Sequence, residues 1–327
     1  MLRAYGPDCD GSIIEAKRGT IPSASTWIDL EEPTRDEEKL VEQATGLEVP
    51  TREELAEIEP SSRFYEQGGA IYATMSTLVG VQEGAPAATP IGFVLTPNRL
   101  VTIRYATPKP IRSFAMHVQR DPALAQDATT VLIRLLDAIA DRLADELEAA
   151  GDEIERISNH IFRGESPEKR AGRRIPTERL EALLHRIGRA QGLLARIRET
   201  ALSFSRLTSF FGTTDRIRKD AVGRERFAGL AADVASLTEH SAFLSTNLTF
   251  LLDASLGLIS VEQNAIIKIF SVAAVIFLPP TLVGTVYGMN FDHMPELHWL
   301  FGYPFALGLM ILSAVLPYWF FKRRGWL

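Results

Sequence analysis

The run IFSVAAVIFLPPTLVGTVYGMNF, from Ile269 to Phe291, carries no formal charge, and its reading decides the fold. About 20 apolar residues in a helix are enough to cross the hydrocarbon core of a bilayer. A second uncharged run follows from Leu297 to Phe321, after a short link that holds Asp292 and Glu296. Together they predict a membrane hairpin behind an otherwise soluble chain. Lys322, Arg323 and Arg324 come next, and basic clusters beside a span stay on the cytoplasmic side. An even number of spans puts both termini on that side and the link outside. Trp299, Tyr303, Tyr318, Trp319 and Trp326 bracket the second span, where aromatic side chains collect at the membrane–water interface.

Working back from Ile269, nothing breaks the helical pattern. A helix is predicted from near Lys219, with no proline before Pro279. Leu230, Val234, Leu237, Leu244, Leu248, Leu251 and Leu258 follow a seven-residue beat, which suits helix–helix packing or a coiled coil. At about 1.5 Å per residue, a helix from about 225 to 287 is roughly 90 Å long. Alternating steps of four and three from Asp253 pick out Gly257, Ser260, Asn264, Ile267, Ser271, Ala274, Leu278, Thr281, Thr285 and Gly288, with Asn290 two positions on. This stripe is small or polar except at Ile267 and Leu278. Small residues also mediate close helix packing in membranes, whereas hydroxyl and amide groups belong on a packed or water-lined face. The stripe begins at a carboxylate outside the span and ends in Gly288 and Asn290, which favours the water-lined reading. Ile267 and Leu278 are then hydrophobic constrictions that gate by dewetting. One helix cannot enclose such a path, so several copies must share an axis.

Composition argues against several functions. The net charge of −6 speaks against nucleic acid, whose phosphates need a basic surface. Cys9 is the one cysteine, so neither an internal disulfide nor a thiolate zinc cluster can form. Met1 to Asp8 lack the apolar core of a signal peptide, so the large N-terminal part is expected in the cytoplasm. No glycine-rich nucleotide loop and no nucleophile–base motif stand out. ATP-driven transport and enzymatic activity are therefore not expected. His117, His160, His185 and His240 are scattered and read as structural or solvated.

Residues 1 to about 110 read as mixed α and β, a sheet with helices packed on it. Thr26 to Leu30 and Ile71 to Val81 are strand-like, and Phe93–Thr96 with Leu100–Ile103 predict a hairpin around Pro97-Asn98-Arg99. Thr34 with Glu37, and Thr51 with Glu54, have capping-box spacing, and Gly46 is a helix stop. From about 126 to 211 a helical hairpin is predicted around a polar, basic loop from Gly164 to Pro176. Asp137, Asp141, Asp145, Glu146, Glu148, Asp152, Glu153 and Glu155 crowd its first helix. They form either a solvated face or a surface that attracts divalent cations.

Tyr287-Gly288-Met289-Asn290 followed by Met294-Pro295-Glu296-Leu297 resembles the signature of the CorA magnesium transporters. Phe277 to Gly284 and the terminal Phe321 to Leu327 resemble that family too, over about residues 253–327. Arg63 to Glu66 and the Pro97 hairpin extend a weaker likeness upstream. The resemblance implies an α+β fold with a membrane region: an N-terminal α/β/α cytoplasmic domain and a long stalk helix continuing into the first of two transmembrane helices, in a homopentameric funnel. On this reading residues 1–225 form the cytoplasmic domain and 226–287 the stalk and pore-lining span, its membrane part about 268–287. Residues 288–299 are the external loop, 300–321 the second span and 322–327 the basic tail.

The resemblance also implies function: passive, potential-driven Mg²⁺ uptake through an inner membrane, with no resident cofactor. Co²⁺ and Ni²⁺ remain open as further cargo. Tyr287, Gly288, Met289 and Asn290 would form the mouth, with Asn290 holding the hydrated ion. Asp253, Asn264 and Thr281 match polar rings of the family, Asp253 with a metal-binding role, and Ile267 and Leu278 match its gate positions. Mg²⁺ dehydrates reluctantly, so amide and carbonyl oxygens repeated by symmetry can hold it through its waters. Asp292 and Glu296 would raise the local cation concentration outside. Regulatory Mg²⁺ between subunits closes the family's channels. Its stalk aspartate aligns near Gly229, with Asp233 a poor substitute. His293 and His298 are zinc-type ligands, but their spacing across Pro295 is not a usual zinc pattern. They motivate a competing reading as a Zn²⁺ transporter of the ZntB branch. A third reading is a membrane-anchored divalent-ion sensor that transports nothing.

Overall fold

The structure, a computed structural model, describes residues 1–17, 19–57, 59–162, 177–289 and 299–324. The loop expected between Gly164 and Pro176 lies outside them. Contacts divide the chain into two units, Met1–Gly164 with Glu181–Leu252, and Glu165–Leu180 with Asp253–Leu327.

The first unit is built on a seven-stranded sheet. Its strands are β1 (Leu2–Gly6), β2 (Cys9–Ile14), β3 (Trp27–Glu31), β4 (Phe64–Gln67), β5 (Ala70–Val79), β6 (Ala87–Leu95) and β7 (Leu100–Arg104). They lie in the order β2-β1-β3-β7-β6-β5-β4. The β3–β7 pair is parallel, with Asp29 opposite Thr102 and Glu31 opposite Arg104, and the other pairs are antiparallel. The hairpin expected around Pro97 joins β6 to β7, closed by Thr96 N donating to Arg99 O at 2.8 Å. Successive side chains of a strand point to opposite faces. Ile71, Ala73 and Met75 of β5 accordingly enter one core while Ala70 and Tyr72 enter another. A sheet buried on both faces gives strands that read as nearly continuous apolar runs.

One face carries α1 (Arg35–Thr45) and α2 (Arg52–Ala56). Both begin with the expected capping boxes. Thr34 N donates to Glu37 Oε2 and Thr51 N to Glu54 Oε2, each at 2.8 Å, and the threonine hydroxyls accept from the Glu37 and Glu54 amides. Gly46 ends α1 at φ 72°, a left-handed conformation that glycine adopts without steric penalty. Gly92 of β6 lets α2 approach the sheet, because a Cβ there would lie 2.7 Å from Leu55 Cδ2.

After the short α3 (Pro60–Arg63), the core of the other face is built from α4 (Lys109–Arg120), α5 (Ala128–Phe162), α6 (Thr177–Thr213), α7 (Asp215–Lys219) and the first turns of α8 (Ala221–Tyr287). Leu132, Leu136, Ile139, Leu143, Leu147, Ile154, Ile157 and Ile161 form the buried stripe of α5, at the three- and four-residue spacing of an amphipathic helix. Its acidic residues stand mainly on the opposite, solvated face. Two are exceptions. Glu146 is buried against Arg142, and Glu153 accepts from Arg186 Nε of α6 and from Arg156 Nε, at 2.8 and 2.9 Å. The α5–α6 hairpin expected from the sequence is present, tied by the Glu153–Arg186 bridge. Among the described residues no strand flanks the outer edge of β5 beyond Phe64, and Ser76 N donates instead to Ser203 Oγ of α6 at 2.9 Å. In α8, Leu230, Val234, Leu244, Leu248 and Leu251 of the predicted beat are buried, while Leu237 and Leu258 are half-buried. Phe227 stacks on Phe211 of α6 at 5.6 Å.

Between sheet and helices lies a buried polar chain. Trp27 Nε1 donates to Thr102 Oγ1 at 3.0 Å, and that hydroxyl donates to Asp29 Oδ1 at 2.7 Å. Arg104 holds Asp29 through Nη2 at 2.9 Å and reaches Glu31 through Nη1 at 2.9 Å. Asp29 and Arg104 are 2 % and 4 % exposed. Burial opposes the charge on Arg104, but the Asp29 and Glu31 carboxylates together more than offset it and hold the guanidinium above its ordinary value.

Removing one member of a buried pair strands the other. Asp29→Ala is expected to lower stability by about 3–5 kcal/mol in urea unfolding of the detergent-solubilised protein, and Asp29→Leu with Arg104→Met by clearly less. A double variant as damaged as the single one would contradict this. The Arg186 hydrogen bond holds the Glu153 carboxyl below its ordinary range. Its contribution is therefore complete above the ordinary value of about 4.3 and is lost as pH falls through the lower folded value. The stability gap between wild type and Glu153→Gln should shrink below about pH 4.3 in acid unfolding curves, and a gap that is flat across this range would refute the bridge's role.

Candidate pore-lining face

The second unit holds the end of α8 and α9 (Gly302–Arg323). Both helices are long and apolar enough to cross a membrane. Phe270, Phe277 and Leu278 are 70 %, 70 % and 68 % exposed, and fully exposing such a side chain to water forgoes about 1.5–3 kcal/mol. Lipid or neighbouring protein must cover them. Pro279 and Pro280 lie inside α8, so the carbonyls of Val275 and Ile276 have no amide donor four residues on. At the far end of α9, Arg323 sits over the Trp319 ring at 4.2 Å and Lys322 over Tyr318 at 5.9 Å. This is the basic–aromatic edge expected where a span leaves the membrane.

One side of α8 is taken by α9. Val272 is buried, Ile276, Pro279, Val283 and Tyr287 are half-buried, and a Cβ on Gly284 would meet Met310 Cε at 3.1 Å. On the opposite side lies the stripe. Asp253, Gly257, Ser260, Asn264, Ile267, Ser271, Ala274, Leu278, Thr281, Thr285 and Gly288 are all exposed, as is Met289. Asn290, Asp292, His293, Glu296 and His298 lie outside the described residues.

The sequence did not disclose how the stripe's hydroxyls are used. Thr281 Oγ1 donates to Phe277 O and Thr285 Oγ1 to Thr281 O, each at 2.8 Å. A hydroxyl that has given its proton to the helix presents only lone pairs outward. Such oxygens can accept hydrogen bonds from the waters around a hydrated cation. The signal for it is a threonine four residues after a carbonyl on the same helical face. Elsewhere, Gly229 and Asp233 are exposed on α8, and nothing lies within 4 Å of a Cβ built on Gly229. Among the described residues no group of three or more His, Cys, Asp or Glu side chains is placed to hold a metal ion.

The family described as CorA-like Mg²⁺ transporter protein matches residues 23–323. The chain is 34 % identical over 305 residues to the magnesium transport protein CorA of Pasteurella multocida, covering 93 % of each. It is 33 % identical over 303 residues to the protein of that name from Escherichia coli strain K12, covering 93 % of this chain and 92 % of that one. Among solved structures it is similar to the complete CorA magnesium transporter of Methanocaldococcus jannaschii, with a TM-score of 0.77 and 19 % identity over 100 % of this chain and 98 % of that one.

A water-lined stripe has a direct chemical readout. Cys9 is buried and is replaced by serine for the test. Thr281→Cys and Thr285→Cys are expected to react with a charged, membrane-impermeant thiol reagent in native membranes. Ile311→Cys, on the exposed apolar side of α9, should react only with a permeant one. Equal labelling of all three positions would sink the water-lined reading.

Proposed function

Because this chain belongs to the CorA-like Mg²⁺ transporter family, we propose that it conducts Mg²⁺ passively across the membrane, down the electrical gradient, as a homo-oligomer whose α8 helices line one axis. The observation that carries this reading is the exposed small and polar stripe from Asp253 to Gly288, on the side of α8 away from α9. A single copy leaves that stripe uncovered. A ring of copies turns it inward, and resemblance to the family makes the ring a pentamer. An inside-negative potential contributes about 2.3 kcal/mol per charge per 100 mV, and twice that for a divalent ion, so no coupled fuel is required.

In this proposal both termini are cytoplasmic, and Tyr287, Gly288, Met289 and Asn290 form the outer mouth, with Asp292 and Glu296 enriching cations in front of it. Mg²⁺ is held at Asn290 through its own waters, because stripping them is slow and costly. Thr285, Thr281, Ser271, Asn264, Ser260 and Asp253 then pass the hydrated ion inward by accepting hydrogen bonds from those waters. Ile267 and Leu278 offer no such acceptor. A ring of either expels water when narrow and blocks the ion. The names of the curated relatives support Mg²⁺ over Zn²⁺ as cargo.

Mg²⁺ uptake into proteoliposomes under an imposed potential tests the reading. Flux is expected in the wild type and about tenfold less or lower in Asn290→Ala, which removes the ring that first holds the ion, while Leu278→Asn should leak at rest because its ring no longer dewets. Absence of flux at any voltage would favour the non-transporting sensor. Preference for Zn²⁺ when both ions compete would favour the zinc reading that His293 and His298 motivate.

A further inference from the structure

The sheet-bearing unit contains a cavity of about 120 Å³ remote in sequence from the stripe. The turn after β5 (Gly80 to Glu83), the start of α4 (Thr107, Lys109, Pro110, Arg112), one face of α5 (Ile139, Arg142, Glu146) and Thr200 of α6 surround it. Its charge is mainly positive. Lys109 and Arg112 are exposed and form no ion pair among the described residues. Of the two carboxylates in the wall, Glu146 is neutralised by Arg142, and Glu83 stands on the exposed turn.

Two further observations point inward. The twelve-residue helix α4 starts at the cavity with Pro108 as its N-cap and no side-chain cap. Pro110 has no N–H and the Arg112 amide donates to Pro108 O, so the Lys109 and Ile111 amides are the first-turn donors left without a side-chain acceptor, and a helix N-terminus favours negative charge. Independently, Thr200 is 1 % exposed and its Oγ1 has no hydrogen-bond partner. Thr238, Thr246 and Thr249 all donate to the carbonyl four residues before them, and Thr200 does not. A buried hydroxyl without a partner is unfavourable and calls for a bound group.

We propose that this cavity binds a tetrahedral oxyanion of the phosphate class, held by Lys109 and Arg112 from the rim, by the α4 N-terminus, and by the Thr200 hydroxyl from below. Its size admits inorganic phosphate, or the terminal phosphate of a monoester whose remainder stays outside. The ligand would join β5, α4, α5 and α6 at one point, so its occupancy should register in the stability of the unit.

The test uses the whole protein in detergent, with titration calorimetry and thermal unfolding. The probes are sodium phosphate, AMP, and sodium chloride at matched ionic strength. Phosphate should bind saturably and raise the unfolding temperature beyond chloride. Binding of phosphate but not AMP would assign a free anion, and binding of AMP as well would assign a phosphomonoester. Lys109→Ala with Arg112→Ala should weaken the affinity by about tenfold or more, and Thr200→Val, which keeps shape and burial, by several-fold. Both variants should retain the wild-type unfolding temperature without phosphate, or exceed it in the case of Thr200→Val, where an unsatisfied hydroxyl is removed. A response equal to that of chloride, or unchanged in both variants, means an adventitious ion only and overturns the proposal.

Discussion

The whole molecule hangs on α8, which stays helical from Ala221 to Tyr287 although Pro279 and Pro280 interrupt its hydrogen-bond ladder. A segment that enters a bilayer must satisfy its own backbone, and a helix does this within one strand of chain. The same ladder serves two surroundings. Leu230, Val234, Leu244, Leu248 and Leu251 bury one side of it in the protein, whereas Phe270, Phe277 and Leu282 stay exposed as only lipid or another subunit allows. Pro279 and Pro280 remove two amide donors from that ladder within the membrane segment. Thr281 and Thr285 lie beside that gap and add their own protons to carbonyls one turn back.

The sheet-bearing unit depends on a second constraint. Asp29 and Arg104 would be prohibitively costly to bury singly, and together they sit on the two strands of the parallel pair. A one-residue slip of β3 against β7 would turn one charge to the opposite core, which is lined by Ile28, Val101 and Ile103. The ion pair thus fits one register of β3 against β7, and the Trp27 and Thr102 hydrogen bonds fit the same one. Glu153 with Arg186 has a smaller counterpart role between α5 and α6.

Much of this was legible beforehand. Thr34–Glu37 and Thr51–Glu54 began helices because capping is local, the residues being three apart. Gly46 stopped α1 for an equally local reason, its positive φ. The uncharged runs after Lys268 announced the membrane hairpin by length alone, and the four–three stepping from Asp253 traced a face that is exposed along its whole length. The acidic crowd on α5 was only half legible. Charge counts could not separate Glu146 and Glu153, which turn to arginines, from their solvated neighbours. Thr200 carried no signal at all, since its missing partner is a property of the cavity around it.

The sequence by itself determined where α1 and α2 begin, the central strands β3, β5, β6 and β7, the long helices, which stretches tolerate lipid, and which side of α8 is small and polar, whereas β1, β2, β4 and α4 carried no such signal. These follow from periodicity, capping and transfer free energy, which act over a few residues. Only the tertiary structure decided that β3 lies parallel to β7, that Asp29 meets Arg104, that α9 covers the side of α8 away from the stripe, and that two unpaired cations and an orphan hydroxyl converge on one cavity. Those facts join residues up to about a hundred positions apart, and no local preference encodes such a pairing; it emerges from the packing that buries the most apolar surface without stranding a charge.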